Sequence, residues 1–163
     1  MAITLFADGR IEKNGTDIVG FTPAFSAYTS SNYDIPSDTY TKALFQTEHF
    51  DSDGAYDASS STFTVPAGKG GAYQINAAVS VDDINDGYYG SIILYIDGSE
   101  STNNRQSFDW APSDNKIVTM HLNTVISLTA GQTVNIYVYH NSIGTQGSEN
   151  HCNWFSMFRI GGV

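Results

Sequence analysis

The sequence predicts an all-β protein, an antiparallel jelly-roll sandwich, and three observations predict it. No segment carries the 3.6-residue apolar period of an amphipathic helix. The runs Lys116 to Leu128 and Val134 to Tyr139 alternate apolar and polar residues, as strands covered on one face do. Roughly eight such runs are separated by turn sequences rich in Gly, Asp, Asn and Pro, the spacing of a sandwich or jelly roll.

Composition agrees with this class and excludes others. At 163 residues the chain suits one domain with an ordinary core. Hydrophobic residues make up 40% and charged residues only 15%. Thr, Ser, Asn, Gly and Tyr fill the difference and fit a pleated surface. The formal net charge of −10 repels phosphate backbones and anionic lipid, so neither nucleic acid nor membrane is an expected partner. Cys152 is the single cysteine, so no internal disulfide and no thiolate-only zinc site can form. No apolar run approaches the ~20 residues that span a bilayer. The start, Met1-Ala2-Ile3-Thr4-Leu5-Phe6, lacks the basic and apolar regions of a signal peptide. A soluble protein made in a cytosol is expected.

Taken in order, residues 1–21 read as a unit of their own. Strands over Ile3–Ala7, Arg10–Lys13 and Thr16–Phe21 are joined by Asp8-Gly9 and Asn14-Gly15, the dipeptides that favour tight hairpin turns. Asn14-Gly15-Thr16 also matches a glycosylation sequon, but the turn already accounts for it. So small a meander is marginal alone and is expected to lean on something larger. The main domain is expected over 22–163. It opens with a strand at Ala24–Thr29, a polar loop from Ser30 to Thr41 and a strand over Ala43–Phe50. An acidic loop, Asp51 to Asp57, leads to strand 61–65, the turn Pro66-Ala67-Gly68 and a long alternating strand at 72–81. Tyr88 to Ile96 is almost continuously apolar, as in a central strand covered on both faces. Ser99 to Asn115 reads as a long polar loop carrying Phe108 and Trp110. Two alternating strands, a Gly/Ser loop from Ser142 to Asn150 and a closing strand from Asn153 to Ile160 complete the chain.

Several of these pieces resemble, in order, the globular head of complement component one-q and its tumour-necrosis-factor-like relatives. They are Pro23-Ala24-Phe25-Ser26-Ala27, then Tyr56-Asp57, then Phe63-Thr64-Val65-Pro66-Ala67-Gly68 with Gly71-Ala72-Tyr73-Gln74-Ile75. Leu94-Tyr95-Ile96-Asp97-Gly98, Leu128-Thr129-Ala130-Gly131-Gln132-Thr133-Val134 and Phe155-Ser156-Met157-Phe158-Arg159-Ile160 follow. The resemblance covers about 22–162. Met157 stands where the family has glycine, Arg159 where it has an apolar residue, and residues 1–21 carry no collagen-like triplets. Leu44-Phe45-Gln46-Thr47-Glu48-His49-Phe50-Asp51 and Asp8-Gly9-Arg10-Ile11 look like segments of the versions found in bacterial viruses. The resemblance implies a trimeric jelly roll displayed on a virus particle.

Candidate chemistry is sparse. Asp51, Asp53 and Asp57 are the calcium candidates, since oxygen ligands around a glycine turn suit that ion. The loop lacks the spacing and terminal glutamate of a helix-loop-helix calcium site, and a solvated acidic turn explains it as well. His49, His121, His140 and His151 are scattered, and His151 beside Cys152 has no third group to orient it. No catalytic residue, metal site or cofactor is expected, and the protein is not expected to be an enzyme. Tyr137 and Tyr139 oppose the aliphatic face of their strand, and Phe155 and Met157 share one face of the last. Aromatic residues outside a core mark interfaces. In the family resembled, the inner sheet packs around a threefold axis, so these four residues are expected to line it. The expected role is a homotrimeric capsid decoration protein anchored through 1–21. The alternative is a receptor-binding tip that meets a host glycan or protein through loops 99–115 and 142–150, with Phe108 and Trp110 as its aromatic contacts.

Overall fold

The computed structural model describes residues 3–5, 11–13, 16–17, 22–84, 87–109 and 116–161. The N-terminal strands are β1 (Ile3–Leu5), β2 (Ile11–Lys13) and β3 (Thr16–Asp17), an antiparallel meander with Ile3 opposite Lys13 and Glu12 opposite Asp17. The expected Asp8-Gly9 and Asn14-Gly15 turns lie outside the described residues. The sandwich begins with β4 (Ala24–Tyr28), β5 (Asp34–Ile35), β6 (Thr41–Lys42), β7 (Thr47–Asp51), β8 (Tyr56–Asp57) and β9 (Thr62–Thr64). It continues with β10 (Gly71–Ile84), β11 (Tyr89–Ile96), β12 (Ser99–Asp109) and β13 (Lys116–Leu128). β14 (Thr133–His140), β15 (Gln146–Gly147), a 3-10 turn at Asn150–Cys152 and β16 (Trp154–Gly161) close the chain.

Two antiparallel sheets face each other. One has five strands in the order β13-β10-β16-β4-β7, and the other six, with β12-β11-β14-β9-β8 in line and β6 beside β14. From β10 the chain passes to the second sheet for β11 and β12, then returns for β13 beside β10. That exchange between sheets is the jelly-roll arrangement expected from the turn spacing. The core fills the space between them. Phe25 lies at its centre, stacked on Tyr56 at 4.4 Å and Phe63 at 5.2 Å and edge-on to Phe155 at 4.9 Å. Met120, Leu122 and Leu128 on β13 and Val134, Ile136 and Val138 on β14 point into it, the inward sets that alternation selects.

The turn between β9 and β10 follows from its residues. Gly68 has φ +73, Lys69 donates its N–H to the Pro66 carbonyl at 3.1 Å, and Pro66 and Gly68 suit the two kinds of backbone this requires. The buried Tyr73 hydroxyl donates to the Lys69 carbonyl at 2.6 Å and pins the turn to the next strand. Burial raises the Tyr73 phenol to about 12, while the neighbouring Arg159 cation acts to lower it. Arg159 occupies an inward position yet is satisfied there. Its Nε and Nη2 both donate to the Gly70 carbonyl, at 3.2 and 3.0 Å. The departure from an apolar residue at this position therefore has a local reason.

Three elements differ from expectation. Ser99 to Asp109 is a strand, β12, and not a loop. It follows a tight turn at Asp97 and Gly98, both at positive φ, and pairs with β11 from Ile96↔Ser99 to Tyr89↔Asp109. Its polar residues suit a sheet-edge strand, because the ladder uses backbone groups rather than side chains. Of the expected strand 43–50 only the part from Thr47 is in a ladder, as β7 on the five-stranded sheet, and residues 43–46 connect it to β6 on the six-stranded sheet. Ala43 and Phe45 face inward while the chain changes layers, so alternation continues across a break in the ladder. Phe45 N–H finds Ser61 Oγ at 2.8 Å there. Within the Gly/Ser loop, β15 pairs with β5, joining Gln146 to Ile35.

Candidate assembly interface

The outward face of the five-stranded sheet is built by strict alternation on four of its strands. β4 presents Ala24, Ser26 and Tyr28, and β16 presents Trp154, Ser156, Phe158 and Ile160. β10 presents Ala72, Gln74 and Asn76, and β13 presents Ile117, Thr119, His121, Asn123, Val125 and Ser127; Ala78 and Ser80 lie on the same side of β10 but are enclosed by their own chain, where Glu149 N–H donates to the Ser80 carbonyl. A bulge in β7 places His49 and Phe50 on the same side, with Phe50 opposite Ser26. Register aligns these residues in rows: Val125, Gln74, Phe158 and Ala24 in one, His121, Ala78, Trp154 and Tyr28 in another.

Two properties distinguish this face. It exposes apolar area, with Phe50 at 53% and Val125 at 56%, and Ile117 and Ile160 comparably open. A shallow groove of about 580 Å³ runs between Phe50 and Phe158, floored by Ala24, Ser26 and Ser156. Second, none of the outward residues named above is Asp, Glu, Lys or Arg, although the chain has 17 acidic and 7 basic residues. An apolar patch without formal charge on a protein of net charge −10 has the composition of an interface core.

The four residues expected to line a threefold axis do not share a face. Phe155 and Met157 are 0% and 1% exposed and point between the sheets. A side chain enclosed by its own chain offers no surface to a partner, so the expectation is corrected for both. β16 is apolar on its two faces, and alternation alone cannot choose the inward one. Trp154, Phe158 and Ile160 are the set that faces out.

Tyr137 and Tyr139 lie outside the core, as their alternation requires, but on the six-stranded sheet at the opposite side of the sandwich. Their own chain partly covers them. Tyr137 stacks on Tyr95 at 3.9 Å, and Tyr139 lies 5.0 Å from Tyr40 and 5.5 Å from Tyr89. The Tyr139 hydroxyl donates to Asp38 Oδ1 at 2.9 Å. Arg105 makes two hydrogen bonds to Glu100 and one to Tyr40, which raises its already high pKa further. This cluster belongs to the face that buries Ile93, flanked in register by Arg105 and Tyr137. It explains how β11 comes to be covered on both sides.

The acidic loop uses its carboxylates on itself. Asp51 accepts from the N–H groups of Asp53 and Tyr56, and Asp53 accepts from the Ser52 hydroxyl. Asp57 accepts from Ser59 N–H, Ser59 Oγ and Ser60 Oγ at 2.7–2.9 Å. No group of three or more His, Cys, Asp or Glu suited to a metal occurs among the described residues. The bonds from Ser59 and Ser60 hold the Asp57 carboxyl down to about 2, and those from Thr133 and Gln132 act to lower the Asp97 carboxyl. Depressed carboxyl values stabilise the fold above the ordinary carboxylate range, and the effect is lost as pH falls from about 4 to 2. Thermal melts between pH 5 and pH 2 are therefore expected to show a falling midpoint, with a shallower fall in Asp57→Asn. An unchanged slope in that variant would contradict the assignment.

The remaining candidates are dispersed. Phe108 lies in β12, half-buried against the core, which removes it from a ligand-contact loop, and Trp110 lies outside the described residues. His140 is buried with Nε2 2.7 Å from the Ile35 carbonyl. His151 and Cys152 lie in the 3-10 turn and not in a strand, and His151 Nδ1 meets Glu149 Oε2 at 3.2 Å. No hydrogen bond joins Cys152 to His151 among the described residues, and Cys152 is exposed. No nucleophile and base are brought together among them.

Comparison of this architecture with solved structures gives two likenesses of note. Eiger, a TNF from S. frugiperda, aligns with a TM-score of 0.62 at 11% identity, over 86% of this chain and 93% of that one. The globular domain of zebrafish complement 1qA protein aligns with a TM-score of 0.54 at 16% identity, over 85% of this chain and 98% of that one. By fold, the chain is a jelly roll of this kind. No family model matches it, and no curated protein matches its sequence. The jelly roll places the charge-free face on one sheet and the tyrosine cluster on the other, so the two surfaces are independent.

Proposed function

We propose that the chain is a non-enzymatic structural protein of a bacteriophage virion, a capsid decoration protein that acts as a homotrimer. The observation that carries the assembly reading is the apolar face of the five-stranded sheet, from which formal charge is missing. Its five strands, spaced by about 4.8 Å, make a face about 20 Å wide that is open along β10 from Ala72 to Asn76 and along β13 from His121 to Ser127. Closed rotational symmetry satisfies every copy of such a patch without leaving an edge. Threefold order and the virion setting are drawn from the resemblance of Leu44–Asp51 and Asp8-Gly9-Arg10-Ile11 to virus heads.

The 1–21 unit supplies the anchor. Its described strands span two or three residues each, and a meander of this size is marginal alone, which suits a segment completed by a larger particle. Decoration is favoured over the receptor-binding tip because Phe108 packs on the core in an edge strand.

The test is rebinding to particles stripped of the protein. The full chain is expected to return in multiples of three, and a chain lacking 1–21 to remain a trimer in solution without binding. Equal rebinding by the truncated chain would contradict the anchor. Binding to host cells but not to particles would favour the tip.

A further inference from the structure

The same face carries two titratable side chains, His121 and His49, neither of which has a carboxylate partner among the described residues. His121 projects from β13 beside Ala78, in the row that continues to Trp154 and Tyr28. His49 stacks on Tyr28 at 4.6 Å, at the other end of that row. Against these rings β10 brings Asn76, Ala78 and Ser80, β16 brings Trp154 and Ser156, and β4 brings Ser26 and Tyr28, all uncharged.

The nearest charged groups lie at the margins. On β7 these are Glu48, exposed opposite Ala27, and Asp51, whose oxygens accept from Asp53 and Tyr56. Asp82 lies beyond Ser80 on β10, and His151 with its partner Glu149 lies on the turn at the end of the face. None is hydrogen-bonded to His49 or His121.

On the assembly reading above, we infer that His121 and His49 make the trimer pH-sensitive, closed at neutral pH and opened by mild acid. Histidine is the side chain whose ordinary titration falls between pH 5 and 8. Three copies of the face carry six of these rings, none of them hydrogen-bonded to a carboxylate of its own chain among the described residues. Protonation there places like charges together in a desolvated contact, which weakens association. The sign is informative. Acid moves the net charge of −10 toward zero, and overall charge alone would then strengthen association. Dissociation in acid must therefore come from local groups.

Sedimentation equilibrium of the full chain at pH 7.5 and pH 5.5, at one ionic strength, tests this, with circular dichroism to follow the fold. The dissociation constant is expected to rise at least tenfold at pH 5.5 with the β-sheet signal kept. The double variant His49→Gln/His121→Gln is expected to stay trimeric at both values. A wild-type trimer of equal strength at both pH values overturns this inference alone, as does a double variant that dissociates like the wild type. A single chain at pH 7.5 overturns the assembly reading and this inference with it.

Discussion

Phe50→Glu and Val125→Glu are each expected to leave the jelly roll folded and to break the trimer. Both side chains are more than half exposed, so neither is needed for the core. Each lies on the charge-free face, where an introduced carboxylate would be desolvated on association and meet no cation. An unpaired buried charge costs several kcal/mol, and about 3 kcal/mol already weakens association more than a hundredfold. Light scattering is expected to show single chains at concentrations where the wild type is assembled. Ile143→Glu is the control. Ile143 is 70% exposed, in the Gly/Ser loop and off the face, and the substitution should leave the mass unchanged. If the Ile143 variant also dissociates, the effect belongs to added charge and not to the face.

Phe155→Ala is expected to have the largest effect on the stability of the chain itself. The ring is fully enclosed and contacts Phe25 edge-on at 4.9 Å, Phe45 at 5.5 Å and Tyr56 at 6.1 Å. Removing a buried phenyl costs about 3–5 kcal/mol through lost burial and the cavity left behind. Stiff β-strands on both sides limit collapse into that space. In a chain of this length such a loss lowers the melting midpoint by about 10 °C. Urea unfolding should show a lower midpoint at an unchanged slope. A loss below about 1 kcal/mol would place Phe155 outside the core and restore it as a candidate interface residue.

These two predictions fall on opposite faces of the same sheet, and the contrast shows what the sequence made legible. Alternation in 116–128 and 134–139 identified strands and separated inward from outward residues there, because one face is polar or aromatic and the other aliphatic. In β16 that contrast fails. Trp154, Phe158 and Ile160 are as apolar as Phe155 and Met157, so period two fixes the strand but not its orientation. Orientation comes from pairing, where Met157 meets Phe25 and Ile75, both buried. The edge strand β12 was hidden for a related reason. Ser99–Asp109 earns its place through backbone bonds to β11, and its side chains carry little pattern. Tyr137 and Tyr139 lie outside the core, but the cover given by Tyr40 and Asp38 depends on a loop crossing that no local period reports.

The acidic loop gives the opposite lesson. Its residue types suit a cation, and only the geometry shows that Asp51 and Asp57 spend their oxygens on nearby N–H and hydroxyl groups. Short carboxylates in turns hydrogen-bond their own backbone, and the same composition serves either purpose.

The central claim is that the outward face of the five-stranded sheet joins copies of this chain. Hydrogen–deuterium exchange of the assembled chain, compared with Phe50→Glu, tests it most directly. The account predicts that peptides containing β16 and β13 exchange more slowly in the wild type, while the Tyr95–Tyr137 face is unchanged. Protection confined to the tyrosine face, or no difference at β16 and β13, would contradict it.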